Sequence, residues 1–287
     1  MADFILSAFA DEAAASLDGQ IAALLRNGLR HIEPRNVDGR YIGDYTAAEL
    51  SEMRKKLDDA GVSLSAVGSP IGKIGIGDLF EPHCELAKRT AQAAQILGTK
   101  RLRVFSFFMP SGEDPARYKD TVLERLNTLC DIADAEGCVC YHENEKDIFG
   151  DTAARVLQIH EAVGPRLHGV FDPANYIQCS ETPVDIWPQI KPHIDYLHIK
   201  DALLEDGSVV PAGCGDGGIA SLLEDFREPD AGRLLTIEPH LAVFEGLSNL
   251  QSHGVKHKYA YPSNDAAFDA ACSALKEILK ERGYSYE

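Results

Sequence analysis

Short apolar runs of strand-like composition alternate along the whole chain with longer segments whose apolar residues recur at helical spacing. The runs are FILSAF (4–9), LRHIEP (29–34), VSLSAVG (62–68), RLRVFSF (101–107), VCYHE (139–143), LHGVFD (167–172), IDYLHI (194–199) and LLTIE (234–238). Between them, TAAELSEMRKKLDDAG places Leu50, Met53 and Leu57 on one helix face with Gly61 as a stop, and ELAKRTAQAAQILG repeats the design. Asp11, Thr46, Asp151 with Thr152, and Asn264 with Asp265 are the expected helix caps, and a last helix is expected from about Asp265 to Arg282. Eight alternating units predict a parallel sheet closed into a (β/α)8 barrel of the α/β class. Such a barrel takes roughly 250 residues, so one domain over residues 1–287 is the expectation. No Ser/Gly-rich linker or low-complexity tract divides the chain, and the long stretch 241–263 after the eighth strand is expected to be a lid, a contact surface or a structural loop.

Four consecutive runs in the second half each end on a residue that binds metals: Glu143, Asp172, His198 and Glu238. In a barrel of parallel strands the carboxyl ends of the strands gather at one mouth, so these four side chains can converge. Three carboxylates and one imidazole form an oxygen-rich set that suits Mn²⁺, the first expectation, or Mg²⁺, Co²⁺ or Zn²⁺. Strand alternation groups Tyr141 with Glu143 and Glu145, His198 with Lys200, and Glu238 with His240, which puts Lys200 and His240 just above the metal.

Composition narrows the partners. The 45 acidic and 28 basic residues leave a formal charge of −17, which lowers the expectation of a nucleic-acid partner. Seven cysteines without a CxxC pair fit a reducing cytoplasm rather than a secreted disulfide framework. The segment MADFILSAFADE lacks the basic start of a signal peptide, and no run is long enough to span a membrane.

The motifs HENE, FDPAN, LHIKD and TIEPH, in this order on strands five to eight, resemble the sugar phosphate isomerase/epimerase family of xylose isomerase-like TIM barrels. IEPRNVDG, GSPIGKIGI and PAGCGDGG extend the resemblance over nearly the whole chain. It implies that Glu143, Asp172, His198 and Glu238 are metal ligands, and that Glu143 and Glu238 also serve as acid and base. A cation bridging a sugar carbonyl and the neighbouring hydroxyl would stabilise an enediolate while a carboxylate on each face removes and returns a proton. Several ketose epimerases of the family carry a histidine where this chain has Asn175 and an arginine where it has Leu204, so substrate contacts do not transfer; Lys200 and Asp201 are the neighbours that can take over.

Further substrate contacts are expected from Glu33 and Arg35, with Asn36, which can bind a polyol or form an internal ion pair. Lys73 is a candidate for an anionic substrate group or a surface lysine, and Phe107 or Phe108 a candidate wall for a sugar, with Phe105 and Trp187 assigned to the core. Asn175, Lys200 and His240 complete the expected substrate set. The run AGCGDGG fits a flexible loop better than a phosphate cradle, since it lacks the ending of a P-loop. His31, His83, His160, His168, His193, His253 and His257 fall outside the constellation, which disfavours the multi-zinc abasic-site endonucleases of the same fold.

The reading is a cytoplasmic metal-dependent isomerase or epimerase of a small sugar, keto-sugar or sugar phosphate, with neither nucleic acid nor membrane as partner. The frequent dimers and tetramers of related barrels leave a homo-oligomer open. Loss of water from a keto-polyol, as in inosose dehydratases, is the alternative, and a non-catalytic sugar-binding subunit stands behind it.

Overall fold

The computed structural model of the protein describes residues 2–242 and 258–287. Eight parallel strands form one sheet: β1 (Phe4–Ala8), β2 (His31–Ile32), β3 (Ser63–Leu64), β4 (Arg101–Val104), β5 (Val139–Glu143), β6 (Leu167–Phe171), β7 (Ile194–Ile199) and β8 (Arg233–Ile237). Their order is β3-β2-β1-β8-β7-β6-β5-β4. The two ends meet at Val67, which bridges to Leu102; its N–H donates to Arg101 O (2.9 Å), and Arg103 N–H donates to Val67 O (3.1 Å). The sheet is therefore a closed (β/α)8 TIM barrel, as the alternation of elements predicts.

The inward parity of the strands is layered. Tyr141, Val170, Tyr196 and Leu234 form a separate apolar cluster inside the barrel. Two residues further along the same strands come Glu143, Asp172, His198 and Thr236. An apolar plug thus floors the polar mouth, while the outer faces of the strands pack against the helices in the main core.

Three strands are much shorter than their apolar runs, one of them the run 62–68, of which only Ser63–Leu64 is strand. The run 29–34 yields only His31–Ile32 because residues 285–287 take the lower half of that edge of β1: Phe4 N–H donates to Ser285 O (3.1 Å) and Leu6 N–H to Glu287 O (2.8 Å). The run 101–107 ends at Val104, and Phe107 adopts a left-handed φ of 66°, which breaks strand alternation.

The helix Ala47–Asp59 buries Leu50, Met53 and Leu57 and begins with a capping box between Thr46 and Glu49. The last helix spans Asn264–Glu281, with Ser263 rather than Asn264 or Asp265 as its cap. Asp11 is no cap either, since the first long helix starts at Leu17 with Ser16 accepting from Gly19 N. Asp151 pairs with Arg155, and Thr152 caps Ala153–Val163 without a side-chain hydrogen bond. Of the expected loop 241–263, residues 243–257 lie outside the described residues, together with His253 and His257. No helix among the described residues is long and apolar enough to cross a membrane.

The segment after β3 is folded tightly against the end of β4. Ile71 O accepts from Phe105 N (2.7 Å) and Gly72 O from Phe107 N (3.0 Å), and Gly72 has φ 89°. A Cβ at Gly72 would lie 2.0 Å from Phe105 O, so only glycine fits both the conformation and the approach. Gly72→Ala is expected to cost about 1–3 kcal/mol or more. Thermal denaturation checks this: an unchanged Tm would show that the segment has room to spare.

Candidate metal centre

Glu143 is the last residue of β5, and His198 the last but one of β7. Asp172 and Glu238 follow β6 and β8 directly. Asp172 also caps the short helix Pro173–Gln178, its Oδ1 accepting from Asn175 N (2.9 Å). The four side chains, all buried, each offer one ligand atom, and these atoms lie within 4.8 Å of one another. His198 Nδ1 stands 2.9 Å from Glu143 Oε1 and 3.6 Å from Glu238 Oε2.

Buried cations frame this group. Arg103 Nη1 lies 3.3 Å from Glu143 Oε2. Arg35 contacts Glu238 at 3.2 Å, Asp11 at 2.8 Å and Glu12 at 2.9 Å. Lys200 Nζ bridges Asp172 (2.9 Å) and Glu238 (3.1 Å), while Lys73 meets Glu145 at 3.0 Å and sits 4.3 Å from the centre of the Phe105 ring. His240 Nδ1 stands 3.4 Å from Glu238 and 3.6 Å from Glu12, and the His240 N–H donates to Glu12. Glu12, Glu238 and His240 form a second cluster of ligand-type atoms, with Arg35 already among its carboxylates.

Negative charge is in excess here, since Asp11, Glu12, Glu33, Glu143, Glu145, Asp172 and Glu238 face only Arg35, Lys73, Arg103, Lys200 and His198 among the described residues. Burial pushes the Asp172 carboxyl up to about 8; Lys200 opposes the rise, whereas Glu238 and Glu143 add to it. Burial also lifts Glu12 to about 8 against the pull of Arg35. Burial disfavours charge on His198, but Glu143 and Glu33 outweigh it and hold the imidazole at about 10. A divalent cation would offset this crowding, and its binding would draw protons off the ligands. The donor set fits such an ion, since Glu143 Oε2 and Asp172 Oδ2 are buried oxygens without a hydrogen-bond partner among the described residues, each beside one cation, Arg103 and Lys200.

The expected substrate residues divide. Asn175, Lys200 and His240 gather round the cluster, with Asn175 Nδ2 3.4 Å from Glu143 Oε1. Glu33 lies behind His198, 3.5 Å from Nε2, and accepts from Tyr196 Oη (3.2 Å) and Thr236 Oγ1 (2.8 Å), so its contacts lie inside the barrel. It does not pair with Arg35, whose guanidinium is engaged with Asp11, Glu12 and Glu238. Lys73 is no surface lysine; it is buried with Glu145 near the mouth.

Phe107 does not wall the cluster. Its left-handed backbone turns the ring outward, edge-on to Phe80 at 5.9 Å, and Phe105 occupies the mouth instead, under Lys73 and Arg103. The AGCGDGG run is organised rather than loose: the N–H groups of Gly213, Gly215 and Gly217 donate to the Asp201 carboxylate at 2.9, 3.1 and 2.9 Å. The nest is filled by the chain's own anion and leaves no cradle for a phosphate.

Sequence reasoning missed Arg103, Asp11 and Glu12. Arg103 carried a signal, since a charged residue in the middle of an apolar strand needs a buried partner. Asp11 and Glu12 carried none, because their partner Arg35 is distant along the chain.

The profile of the xylose isomerase-like TIM barrel matches residues 21–282. The chain belongs to this family. No curated protein sequence matches it. Among solved xylose isomerase-like barrels and their relatives, it resembles a D-tagatose 3-epimerase-like protein with a TM-score of 0.73 at 16% identity, covering 98% of each chain. The probable 3-DHS dehydratase AsbF of Bacillus anthracis, involved in petrobactin synthesis, gives a TM-score of 0.74 at 16% identity, over 95% of this chain and 99% of that one. A family member from Mycobacterium smegmatis, in complex with magnesium, gives 0.67 at 16% identity, over 98% and 97%. At such identities the likeness establishes the shared barrel.

Asp201→Asn would weaken three charge-assisted contacts at once, each worth about 1.5–3 kcal/mol at most. Hydrogen exchange is expected to speed up at Gly213, Gly215 and Gly217 while the barrel strands keep their protection. Unchanged exchange at these glycines would show that Asp201 does not hold the loop.

Proposed function

We propose that the protein is a divalent-metal-dependent isomerase or epimerase of a small sugar, keto-sugar or sugar phosphate. The observation that carries this reading is the convergence of Glu143, Asp172, His198 and Glu238 at the mouth, with each glutamate held by its own arginine. When bound by these four, a divalent cation would polarise a carbonyl and stabilise the negative charge that builds on oxygen as the neighbouring carbon loses its proton. Mn²⁺ is the first candidate, with Mg²⁺, Co²⁺ and Zn²⁺ as the others.

Glu143 and Glu238 then act as the proton carriers. One removes the proton from carbon and the other returns a proton, to the opposite face in an epimerisation or to the adjacent carbon in an isomerisation. Arg103 and Arg35 hold the two carboxylates in place, and the Glu238 carboxyl stays well below its ordinary range: burial opposes this, but Lys200, His240, His198 and Arg35 outweigh burial. A depressed pKa keeps Glu238 ionised, the form a proton acceptor needs, while lowering its basicity. Lys200 would donate a hydrogen bond to a substrate oxygen, and Asn175, whose Nδ2 already donates to Asn144 O and Glu143, would accept one from a substrate hydroxyl at its buried Oδ1; Lys73 and His240 stand at the rim of the same mouth. Solved barrels of similar fold include D-psicose 3-epimerase and 3-keto-D-glucoside 4-epimerase, which supports a sugar as substrate class.

Glu143→Gln and Glu238→Gln are each expected to lower turnover at least ~100-fold, with the fold intact by circular dichroism. Wild-type rates in both variants would remove the acid/base pair. Chelation should abolish activity, and added Mn²⁺ should restore it. During turnover of a keto-sugar panel in heavy water, one deuterium is expected at the reacting carbon of a product of otherwise unchanged composition. A product lighter by one water would assign the protein as a dehydratase instead.

A further inference from the structure

We infer that Phe9 is a positioning residue for the metal ligands, its ring serving as the common surface on which the ligand frame is assembled. The inference rests on the metal-centre reading and adds to it a residue that belongs to neither ligand set. Phe9 follows β1 directly, is fully buried, and is fastened to β8 by its N–H, which donates to Ile237 O at 3.0 Å. The Arg35 guanidinium carbon lies 4.2 Å from the ring centre and that of Arg103 lies 5.1 Å from it. The His198 ring meets it edge-on at 5.1 Å with an interplanar angle of 83°.

These three neighbours reach three of the four ligands. His198 is one itself; Arg103 holds Glu143 at 3.3 Å, and Arg35 holds Glu238 at 3.2 Å. A guanidinium–carboxylate pair fixes its two members relative to each other but does not fix where the pair sits in the mouth. The ring adds a constraint common to both pairs, beside the contacts of Arg35 with Asp11 and Glu12 and of Arg103 with Ser69 O. The ring's electron-rich π system attracts both buried cations and gives two like charges a shared counterpart. Arg103 is held further by Phe105, whose ring centre is 4.8 Å from its guanidinium carbon.

The chain leaves space for this arrangement at one specific place. A Cβ on Gly68 would lie 2.6 Å from Phe9 Cε1 and 2.8 Å from Arg35 Cγ, closer than such atoms approach. Glycine at 68 therefore admits the ring and the arginine stem together.

The test uses the full chain, freed of metal, and reads Mn²⁺ binding by the electron paramagnetic resonance signal of the free ion, so no substrate is needed. Phe9→Leu is expected to weaken Mn²⁺ binding roughly 10–100-fold, the range for groups that orient metal ligands. Phe9→Tyr, which keeps the aromatic face, should rescue binding. Gly68→Ala, which pushes the ring and Arg35 aside without deleting either, should weaken it too and replaces Phe9→Leu should that variant fail to fold. Phe268→Leu is the matched control: it removes another fully buried ring, on the helix Asn264–Glu281, and should lower thermal stability while leaving Mn²⁺ binding unchanged.

Wild-type affinity in Phe9→Leu and Gly68→Ala, with Mn²⁺ bound normally by the wild type, would overturn the positioning role alone. Loss of affinity in Phe268→Leu equal to that in Phe9→Leu would overturn it as well, by reducing the effect to general destabilisation. A wild type that binds no Mn²⁺ would overturn the metal centre and this inference together.

Discussion

The mouth of this barrel depends on the mutual neutralisation of charges that water does not reach. Asp11, Glu12, Glu33, Glu143, Glu145, Asp172 and Glu238 are buried there alongside Arg35, Arg103, Lys200, His198 and the side chain of Lys73. A charge in such surroundings persists only beside an opposite one, and removing either partner of a buried pair typically costs about 3–5 kcal/mol. Seven acids thus face five cationic groups, and burial, with neighbouring carboxylates adding to it, lifts Asp172 and Glu12 to about 8. That surplus is the physical basis for reading the mouth as a cation site.

The rest of the architecture keeps this charged layer in one place. Below it, Tyr141, Val170, Tyr196 and Leu234 close the barrel with an apolar plug, so the polar groups gather at one end. The cavity at the opposite end, about 410 Å³, is lined by Ser63, Arg101, Asp195 and Arg233 among others and touches none of the four ligands. Above the layer, loops are drawn in by specific contacts. Gly72 lets the segment carrying Lys73 press on β4, and Asp201 gathers the glycines after β7 into its carboxylate. Arginine suits the cationic positions because its planar group can hold several carboxylates and lie on a ring at once, as Arg35 does with Asp11, Glu12, Glu238 and Phe9.

Strand periodicity made the four candidate ligands legible in advance. Glu143, Asp172, His198 and Glu238 end four consecutive apolar runs, and the carboxyl ends of parallel strands share one mouth, so their convergence follows from topology. Alternation also put Lys200 and His240 on the correct side. The aromatic wall expected of Phe107 was not legible in this way, because a left-handed residue turns its ring outward and Phe105 lies at the mouth instead. Local capping rules held at Thr46, where both partners are neighbours in sequence, and failed at Asp11, whose carboxylate is taken by a distant arginine.

By itself the sequence therefore determined the barrel, its repeating units and the identity of the converging side chains, because these depend on periodicities of two and 3.6 residues that any short window displays. Only the tertiary structure decided which charge answers which: Arg103 with Glu143, Arg35 with Glu238, Asp201 with the glycine loop, and Phe9 beneath both arginines. These pairings join residues far apart in the chain, and no local pattern encodes them. They arise from the closure of the barrel, which brings the end of the first strand beside the ends of the fourth, seventh and eighth.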